Sequence, residues 1–199
     1  MSKLPIMDVY VGDPTKKAFH IPRSLFASMQ ETATLCNYEV SMLGLVELRS
    51  YGPTLTDLWV PPQVVGASHV EIDAAMIGDL QARLFHKGVI AVGDQRRFIR
   101  FAWHSHVDMD ARMSEPDRDA FTALGGECTI YDPEWFISMV MNKSGAYQII
   151  MDVFRPIRHV EDITRKTMIG GPVDNVIADE IALNVKLGKQ TVIGGKPIK

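Results

Sequence analysis

One stretch restricts the fold of this chain more than any other, because it joins a long strand pattern to a helix start across a short loop. Residues 97–107 (RFIRFAWHSHV) are rich in aromatic and apolar residues, as is typical of a buried strand. The sequence SEPD at 114–117 is typical of a helix N-terminus, since Ser114 is a favoured N-cap residue and Pro116 suits the first turn. We therefore predict a strand over 97–107, a polar loop, and a helix from about residue 115 to residue 124.

The remainder of the chain mixes helical and strand patterns. Apolar residues at three- and four-residue steps predict helices over 21–36 and 73–87. Four further strand patterns are found at 5–11, 39–48, 135–142 and 146–154. The turn sequence NKSG joins the last two strands, which are therefore antiparallel. These patterns predict an α/β (α+β) fold in which helices flank a central mixed β-sheet.

Two regions do not fit regular elements. Residues 56–65 have the character of extended chain, but Pro61 and Pro62 interrupt it. After Pro156 the sequence is polar, contains glycines and is weakly periodic. We predict one domain over 1–159 and a C-terminal tail over 160–199, which packs on the domain, on a partner or on neither.

The composition narrows the range of partners and compartments. A formal net charge of −3 and a pI near 6.1 give no electrostatic reason to expect nucleic acid as a partner. No apolar stretch approaches 18 residues, which a membrane-spanning helix needs, and no signal-peptide pattern opens the sequence. Two cysteines are too few for a small secreted domain stapled by disulfides. We therefore predict a cytoplasmic protein, in the host cytoplasm if it is phage-encoded, without membrane or nucleic-acid partners.

A pair of histidines at the end of the predicted strand suggests a metal site. His104 and His106 are two residues apart, so their side chains share one face of the strand about 6.5 Å apart along the chain. Two such imidazoles can bind one metal ion if a third ligand joins them. The following loop and helix offer Asp108, Asp110 and Asp117. The alternative interpretation is a polar turn that contains two histidines without a metal.

Asp117 is the strongest of these three candidates. It occupies the third helical position after the Ser114 cap, where the helix dipole favours an ionised carboxylate. Two histidines and one carboxylate leave a fourth zinc position open to water, which is typical of catalytic rather than structural zinc sites. Asp108 and Asp110 are also consistent with solvated loop residues.

The combination resembles the signature of the JAMM (MPN-plus) metalloproteases. The sequence reads His104-Ser105-His106, then seven residues, then Ser114, two residues and Asp117. The family pattern also includes an upstream glutamate in a strand after the first helix, and Glu39 occupies that position. The order of predicted elements over residues 5–158 is similar as well. The resemblance implies a cytidine deaminase-like MPN fold and a small member of the kind found in bacteria and phages.

The resemblance also implies a role for each residue. His104, His106 and Asp117 would bind a zinc ion, with water as the fourth ligand. Glu39 would be the general base and later the acid that protonates the leaving amine. Ser114 would hydrogen-bond the water or the oxyanion of the intermediate. Glu47 is an alternative base, although it lies near the far end of the same strand.

The implied reaction is hydrolysis of a peptide or isopeptide bond, in some cases after the Gly-Gly of a ubiquitin-like protein. The alternative function is a non-catalytic MPN-type scaffold that assembles with partner subunits. The retained set of metal ligands favours the enzyme, because scaffold members generally lack it. A peptide or ubiquitin-like protein is therefore the expected substrate, and an oligomer or a partner subunit is compatible with either function.

Overall fold

The computed structural model describes residues 17–49, 51–66, 70–72, 74–90, 97–128, 135–154, 157–170 and 185–187. Its three α-helices within these ranges are α1 (Arg23–Leu35), α2 (Ala74–His86) and α3 (Glu115–Cys128). Its strands are β1 (Phe19–Pro22), β2 (Ser41–Arg49), β3 (Gly52–Trp59), β4 (Gln63–Val65), β5 (Val70–Ile72), β6 (Arg97–His106), β7 (Trp135–Asn142), β8 (Tyr147–Val153), β9 (His159–Asp162), β10 (Thr167–Gly170) and β11 (Val185–Leu187).

Eight of these strands form one mixed sheet in the order β10-β1-β3-β2-β6-β7-β8-β9. The pairs β10–β1, β1–β3 and β6–β7 are parallel, and the other neighbours are antiparallel. Only residues 163–166 separate β9 from β10, although these strands lie at opposite ends of the sheet order. Such a short link brings the two ends of the sheet together, so the sheet curves into a half-barrel.

The central strand β6 is covered on both faces. Phe101 and Trp103 belong to the core cluster that includes apolar residues of α1. Ala102 belongs to a second cluster, which includes residues of α2 and Phe121 of α3. Every residue of β6 after Arg97 is buried, as expected of a strand that has a packed layer on each side.

The predicted fold class is wrong. The sequence predicts an α/β (α+β) fold of the cytidine deaminase-like MPN type, with helices flanking a central mixed sheet and a tail after it. The structure is instead β-rich, and its main feature is the curved, eight-stranded half-barrel sheet. The prediction failed because β1, β9 and β10 have four residues each, too few to give a periodic pattern. The strand β3 was also hidden, since its sequence continues into Pro61 and Pro62 and was interpreted as broken extended chain.

Most of the longer predicted elements are confirmed. The three helices and the strands β2, β6, β7 and β8 lie within a few residues of their predicted positions. The turn between β7 and β8 is also confirmed, and Gly145 adopts a φ of 80°, a conformation that glycine favours. The strand predicted over 5–11 lies outside the described residues.

The first part of the predicted tail joins the sheet. β9 pairs with β8 and β10 pairs with β1, so residues 159–162 and 167–170 pack on the domain. The division into a domain over 1–159 and a tail over 160–199 stays a prediction. No helix in the described parts of the chain has the length and apolar character that crossing a membrane would require.

Candidate metal centre

Three of the predicted ligands meet where β6 ends and α3 begins. His104 and His106 are the last residues of β6 on the face that packs against α3, and Asp117 lies in the first turn of that helix. The Nε2 atom of His104 is 3.5 Å from Oδ1 of Asp117, and the Nε2 atom of His106 is 3.5 Å from Oδ2. One ligand atom from each residue lies within 4.8 Å of the other two. This buried His-His-Asp group can hold a metal ion.

The spacing of these atoms is compatible with a single metal ion. Bonds of about 2.1 Å in a tetrahedral site give ligand–ligand distances of about 3.4 Å, close to the two separations of 3.5 Å. The rings of His104 and His106 lie 4.7 Å apart, centroid to centroid. The side chains of both histidines are buried, and that of Asp117 is 21% exposed. The donor set therefore fits a cation that is reached from solvent on the Asp117 side.

The tautomer of His106 is fixed by a backbone carbonyl. Its Nδ1 atom lies 2.7 Å from the carbonyl oxygen of Asp110, which only accepts hydrogen bonds, so Nδ1 carries the hydrogen. In the neutral ring the lone pair is then on Nε2, the atom that faces Asp117. Metal-binding histidines commonly have this second hydrogen bond, which orients the ring and raises its basicity.

His104 is held by stacking. Its ring lies 5.1 Å from the ring of Phe121 at an interplanar angle of 29°. Phe121 follows Asp117 by four residues and therefore lies on the same face of α3, one turn later. One face of α3 therefore carries the candidate ligand Asp117 and also the Phe121 ring, which orients the candidate ligand His104.

Ser114 and Asp117 cap the start of α3 reciprocally. The backbone N–H and the hydroxyl of Ser114 donate hydrogen bonds to Oδ2 of Asp117 at 2.7 and 2.6 Å. The N–H of Asp117 donates to the Ser114 hydroxyl oxygen at 3.3 Å. This arrangement is a capping box with an aspartate in place of the usual glutamate. It fixes the carboxylate in the orientation in which it faces both histidines.

The loop between β6 and α3 is tied to the sheet at two points. Asn142 at the end of β7 donates a hydrogen bond to the Met109 carbonyl at 3.3 Å. Gln148 of β8 accepts one from the N–H of Met113 at 2.8 Å. These contacts hold the backbone that carries the Asp110 carbonyl, and therefore also the His106 ring. The side chains of Asp108 and Asp110, the other candidate ligands, are exposed and lie outside the cluster.

Glu39 lies across from His106. β2 and β6 are antiparallel, with Ser41 opposite His104, and Val40 accepts a hydrogen bond from the N–H of Ser105 at 3.0 Å. Two more residues in this register place Glu39 opposite His106, on the same face of the sheet. Only 5% of Glu39 is exposed. The predicted base is therefore next to the predicted ligands, whereas Glu47 lies opposite Arg97 at the other end of the strands.

The acidic and basic groups act on one another's pKa. Burial raises the pKa of Glu39, and the charge of His106 partly opposes the rise. Burial also raises the pKa of Asp117, but hydrogen bonds from His106 and Ser114 outweigh this and lower it well below its ordinary value. The site therefore contains a carboxylate that stays ionised and a carboxyl group that binds a proton more readily than an exposed glutamate.

The two histidines differ in their affinity for protons. Burial lowers the pKa of His104 to about 4. Burial also lowers the pKa of His106, but the hydrogen bonds with Asp117 and with the Asp110 carbonyl outweigh it and raise the pKa above its ordinary value. When His106 is protonated, its Nε2 hydrogen faces Asp117, at the position where a bound cation would replace it.

Comparisons with known proteins add information on the fold. No model of a known protein family matches the chain, and no curated protein sequence matches it. Among solved structures, the chain is similar to the solution structure of protein DSY2949 from Desulfitobacterium hafniense, with a TM-score of 0.54 and 10% sequence identity. The similarity covers 78% of this chain and 95% of that one. At this identity it concerns the fold alone.

Proposed function

We propose that this chain is a zinc-dependent hydrolase of peptide or isopeptide bonds, with a site of the type found in the JAMM metalloproteases. The observation that carries the proposal is the convergence of His104, His106 and Asp117, whose ligand atoms lie within 4.8 Å of one another. The buried carboxyl group of Glu39 lies beside this cluster, opposite His106. Metal ligands and a candidate proton acceptor in one place are what hydrolysis of an amide requires.

The donor set supports zinc as the metal. Two imidazole nitrogens and one carboxylate oxygen are ligands that zinc accepts, and three protein ligands are typical of its catalytic sites. When bound, zinc supplies a Lewis acid that polarises a carbonyl group and makes water nucleophilic near pH 7. His104, His106 and Asp117 would hold it, and the Asp110 carbonyl and Ser114 would orient two of these three ligands.

Glu39 is the proposed general base. Its burial raises its pKa, which brings the group closer to the range in which a carboxyl group both accepts and donates protons at neutral pH. It would take a proton from the attacking water and return one to the leaving amine as the C–N bond breaks. Its position opposite His106 supports this role.

Ser114 supports the site through Asp117. Its hydroxyl group donates to the carboxylate at 2.6 Å, so in this arrangement it is a positioning residue for Asp117. The role implied by the resemblance, a hydrogen bond to the water or the oxyanion, requires the hydroxyl to change partner during the reaction. A Ser114→Ala variant separates the two roles, since the positioning role affects metal affinity and the oxyanion role affects kcat.

The proposed substrate class comes from the motif. A bond that follows a Gly-Gly sequence of a ubiquitin-like protein is the substrate that the resemblance favours. The test is to incubate the zinc-loaded chain with a panel of ubiquitin-like fusions and short Gly-Gly peptides, with and without a chelator. We expect cleavage that requires zinc and is lost in Asp117→Ala. Cleavage that survives both the chelator and the Asp117→Ala substitution would contradict the proposal. Zinc binding without cleavage of any panel member would instead favour the alternative function, a non-catalytic scaffold that assembles with partner subunits.

A further inference from the structure

The C-terminal segment contributes a strand to a small sheet around β4. β11 pairs in parallel with β4, so that Val185 lies opposite Gln63 and Leu187 lies opposite Val65. β5 pairs with the other edge of β4, and the three strands form a small sheet in the order β11-β4-β5. A segment that is distant in sequence therefore fills one edge of β4.

β4 is tied to the start of β2 and to Glu39, which lies two residues before that strand. The side chain of Gln63 accepts a hydrogen bond from the N–H of Ser41 at 2.7 Å and donates one to its carbonyl at 2.8 Å. Gly66, the residue after β4, accepts a hydrogen bond from the N–H of Glu39 at 3.1 Å. β4 therefore runs from the level of Ser41 towards Glu39. Any strand that pairs with β4 in parallel runs in the same direction.

We propose that this edge of β4 is a binding site for an extended peptide, and that the chain's own β11 occupies it until such a peptide displaces it. The inference rests on the proposed function, because the peptide is taken to be the part of a substrate that precedes the scissile bond. Extended peptides add to sheet edges through backbone hydrogen bonds, which do not depend on the side chains of the added strand. β11 and a substrate segment can therefore use the same pairing.

The direction of β11 agrees with this role. A segment that is parallel to β4 advances towards Glu39 as its residue numbers rise. Its C-terminal end, and therefore the carbonyl of its last residue, arrives on the side of the proposed base. An antiparallel strand at the same edge would bring its N-terminal end there, which is the wrong end for the acyl side of a cleaved bond.

The consequence is competition between the tail and the substrate. Because β11 is part of the same chain, its pairing with β4 is intramolecular, which gives it a higher effective concentration at β4 than a dilute added peptide has. An added peptide must displace it and therefore binds more weakly to the intact chain than to one whose tail strand cannot pair. The competition raises KM for extended substrates and leaves kcat unchanged.

The test is a full-length variant in which β11 cannot pair, namely Lys186→Pro with Leu187→Pro. Successive N–H groups of a strand point in opposite directions, so one of these two adjacent prolines removes a donor that faces β4. The matched control is Lys186→Ala with Leu187→Ala, which keeps both donors. The probe is a fluorescent peptide with the sequence of residues 181–191, and its Kd is measured by anisotropy.

We expect the proline variant to bind the probe about tenfold more tightly than the wild type, and the alanine variant to bind it like the wild type. In the absence of probe, the amides of residues 63–66 should exchange with solvent faster in the proline variant. Equal affinity in all three proteins would overturn the proposal. A wild-type dimer that is absent in the proline variant would also overturn it, since β11 would then pair between copies.

This binding experiment does not depend on hydrolysis. If the chain cleaves no peptide, the probe still shows whether β11 leaves the edge of β4. If the chain does cleave peptides, the proline variant should have a lower KM for an extended substrate and the same kcat. An unchanged KM, together with zinc-dependent cleavage, would contradict the displaced-strand inference and leave the proposed function intact.

Discussion

The two ends of the β2–β6 strand pair carry similar residues in opposite surroundings. At one end, Glu39 is 5% exposed and lies across from the buried His106. At the other end, Glu47 has 37% of its side chain exposed, accepts hydrogen bonds from Arg49 and lies opposite Arg97. Each end therefore has a glutamate on or just before β2 and a basic group near it, but only one end is shielded from water.

The two ends differ in burial more than in residue type, and burial therefore determines the chemistry of these groups. Water screens the exposed pairs, whose contribution to stability is about 0–1 kcal/mol each. At the buried end, burial raises the pKa of Glu39. Burial acts in the same direction on Asp117, but hydrogen bonds from His106 and Ser114 outweigh it and lower the pKa of that carboxyl group.

The largest effect is expected from His106→Ala at the buried end. The variant loses a proposed ligand, so zinc affinity should fall by well over a hundredfold, since loss of an outer-shell partner alone costs about 10–100-fold. Peptide cleavage should disappear with it. Calorimetric zinc titration checks the affinity, and His159→Ala, which removes an exposed histidine, is the matched control. A variant that binds zinc as the wild type does would remove His106 from the site.

Glu39→Gln should separate chemistry from metal binding. The amide keeps the size of the side chain but cannot accept a proton, so kcat should fall by about 10²–10⁴-fold while zinc affinity stays the same. Steady-state kinetics on a zinc-loaded sample measures this. Glu47→Gln at the exposed end should have wild-type kcat. Should the two variants exchange these behaviours, the base is Glu47 and the comparison between the two ends is reversed.

Ser114→Ala should have an intermediate effect. It removes a hydroxyl group that orients Asp117, so zinc affinity should fall by about 10–100-fold. It also removes the N-cap side chain of α3, which should lower the free energy of unfolding by about 1 kcal/mol. Zinc titration and chemical denaturation measure the two effects, with Ser144→Ala in the β7–β8 turn as a control. Unchanged zinc affinity with a slower kcat would favour the oxyanion role.

Zinc affinity should depend on pH through His106. Its pKa is raised, so below that pKa a metal ion must displace one proton, whereas His104, with a pKa of about 4, is already neutral. Affinity should therefore fall about tenfold per pH unit as the pH decreases below the His106 pKa, and level off above it. Titrations between about pH 8 and about pH 5 check this. A flat profile over that range would contradict the displacement of a proton from His106 by the metal ion.

The smallest effect is expected from Arg97→Ala at the exposed end. Arg97 pairs with Asp57 at 3.3 Å, with 38% and 45% of the two side chains exposed. Its loss should change the free energy of unfolding by no more than about 1 kcal/mol, as chemical denaturation measures it, and leave zinc affinity unchanged. A larger loss of stability would mean that the two ends differ less than their exposure indicates.

The sequence predicts the middle of the sheet better than its ends. The strands β6, β7 and β8 and the three helices are long enough for apolar periodicity to mark them. β1, β9 and β10 have four residues each, and they are strands because neighbouring strands pair with them. The width of the eight-stranded sheet depends on these pairings, so sequence patterns alone led to the wrong fold class.

The sequence also predicts some parts of the candidate site and not others. The spacing of His104 and His106 and the helix-start position of Asp117 are local patterns, and they led to three residues that meet in space. The Asp110 carbonyl that fixes His106 is a backbone group, which leaves no mark on the sequence. Phe121 was missed although its distance of four residues from Asp117 places it on the same helix face. Gln63 ties β4 to the start of β2 by a hydrogen bond with the backbone of Ser41, a tertiary contact that no local pattern predicts.

The most direct test of the central claim is X-ray absorption at the zinc edge on the purified, zinc-loaded chain. We expect one zinc per chain, a first shell of nitrogen and oxygen atoms at about 2.0–2.1 Å, and the scattering pattern of two imidazoles. The signal should be lost in Asp117→Ala. A first shell that contains sulfur, or a chain that binds no zinc at neutral pH, would contradict the claim that His104, His106 and Asp117 form a metal centre.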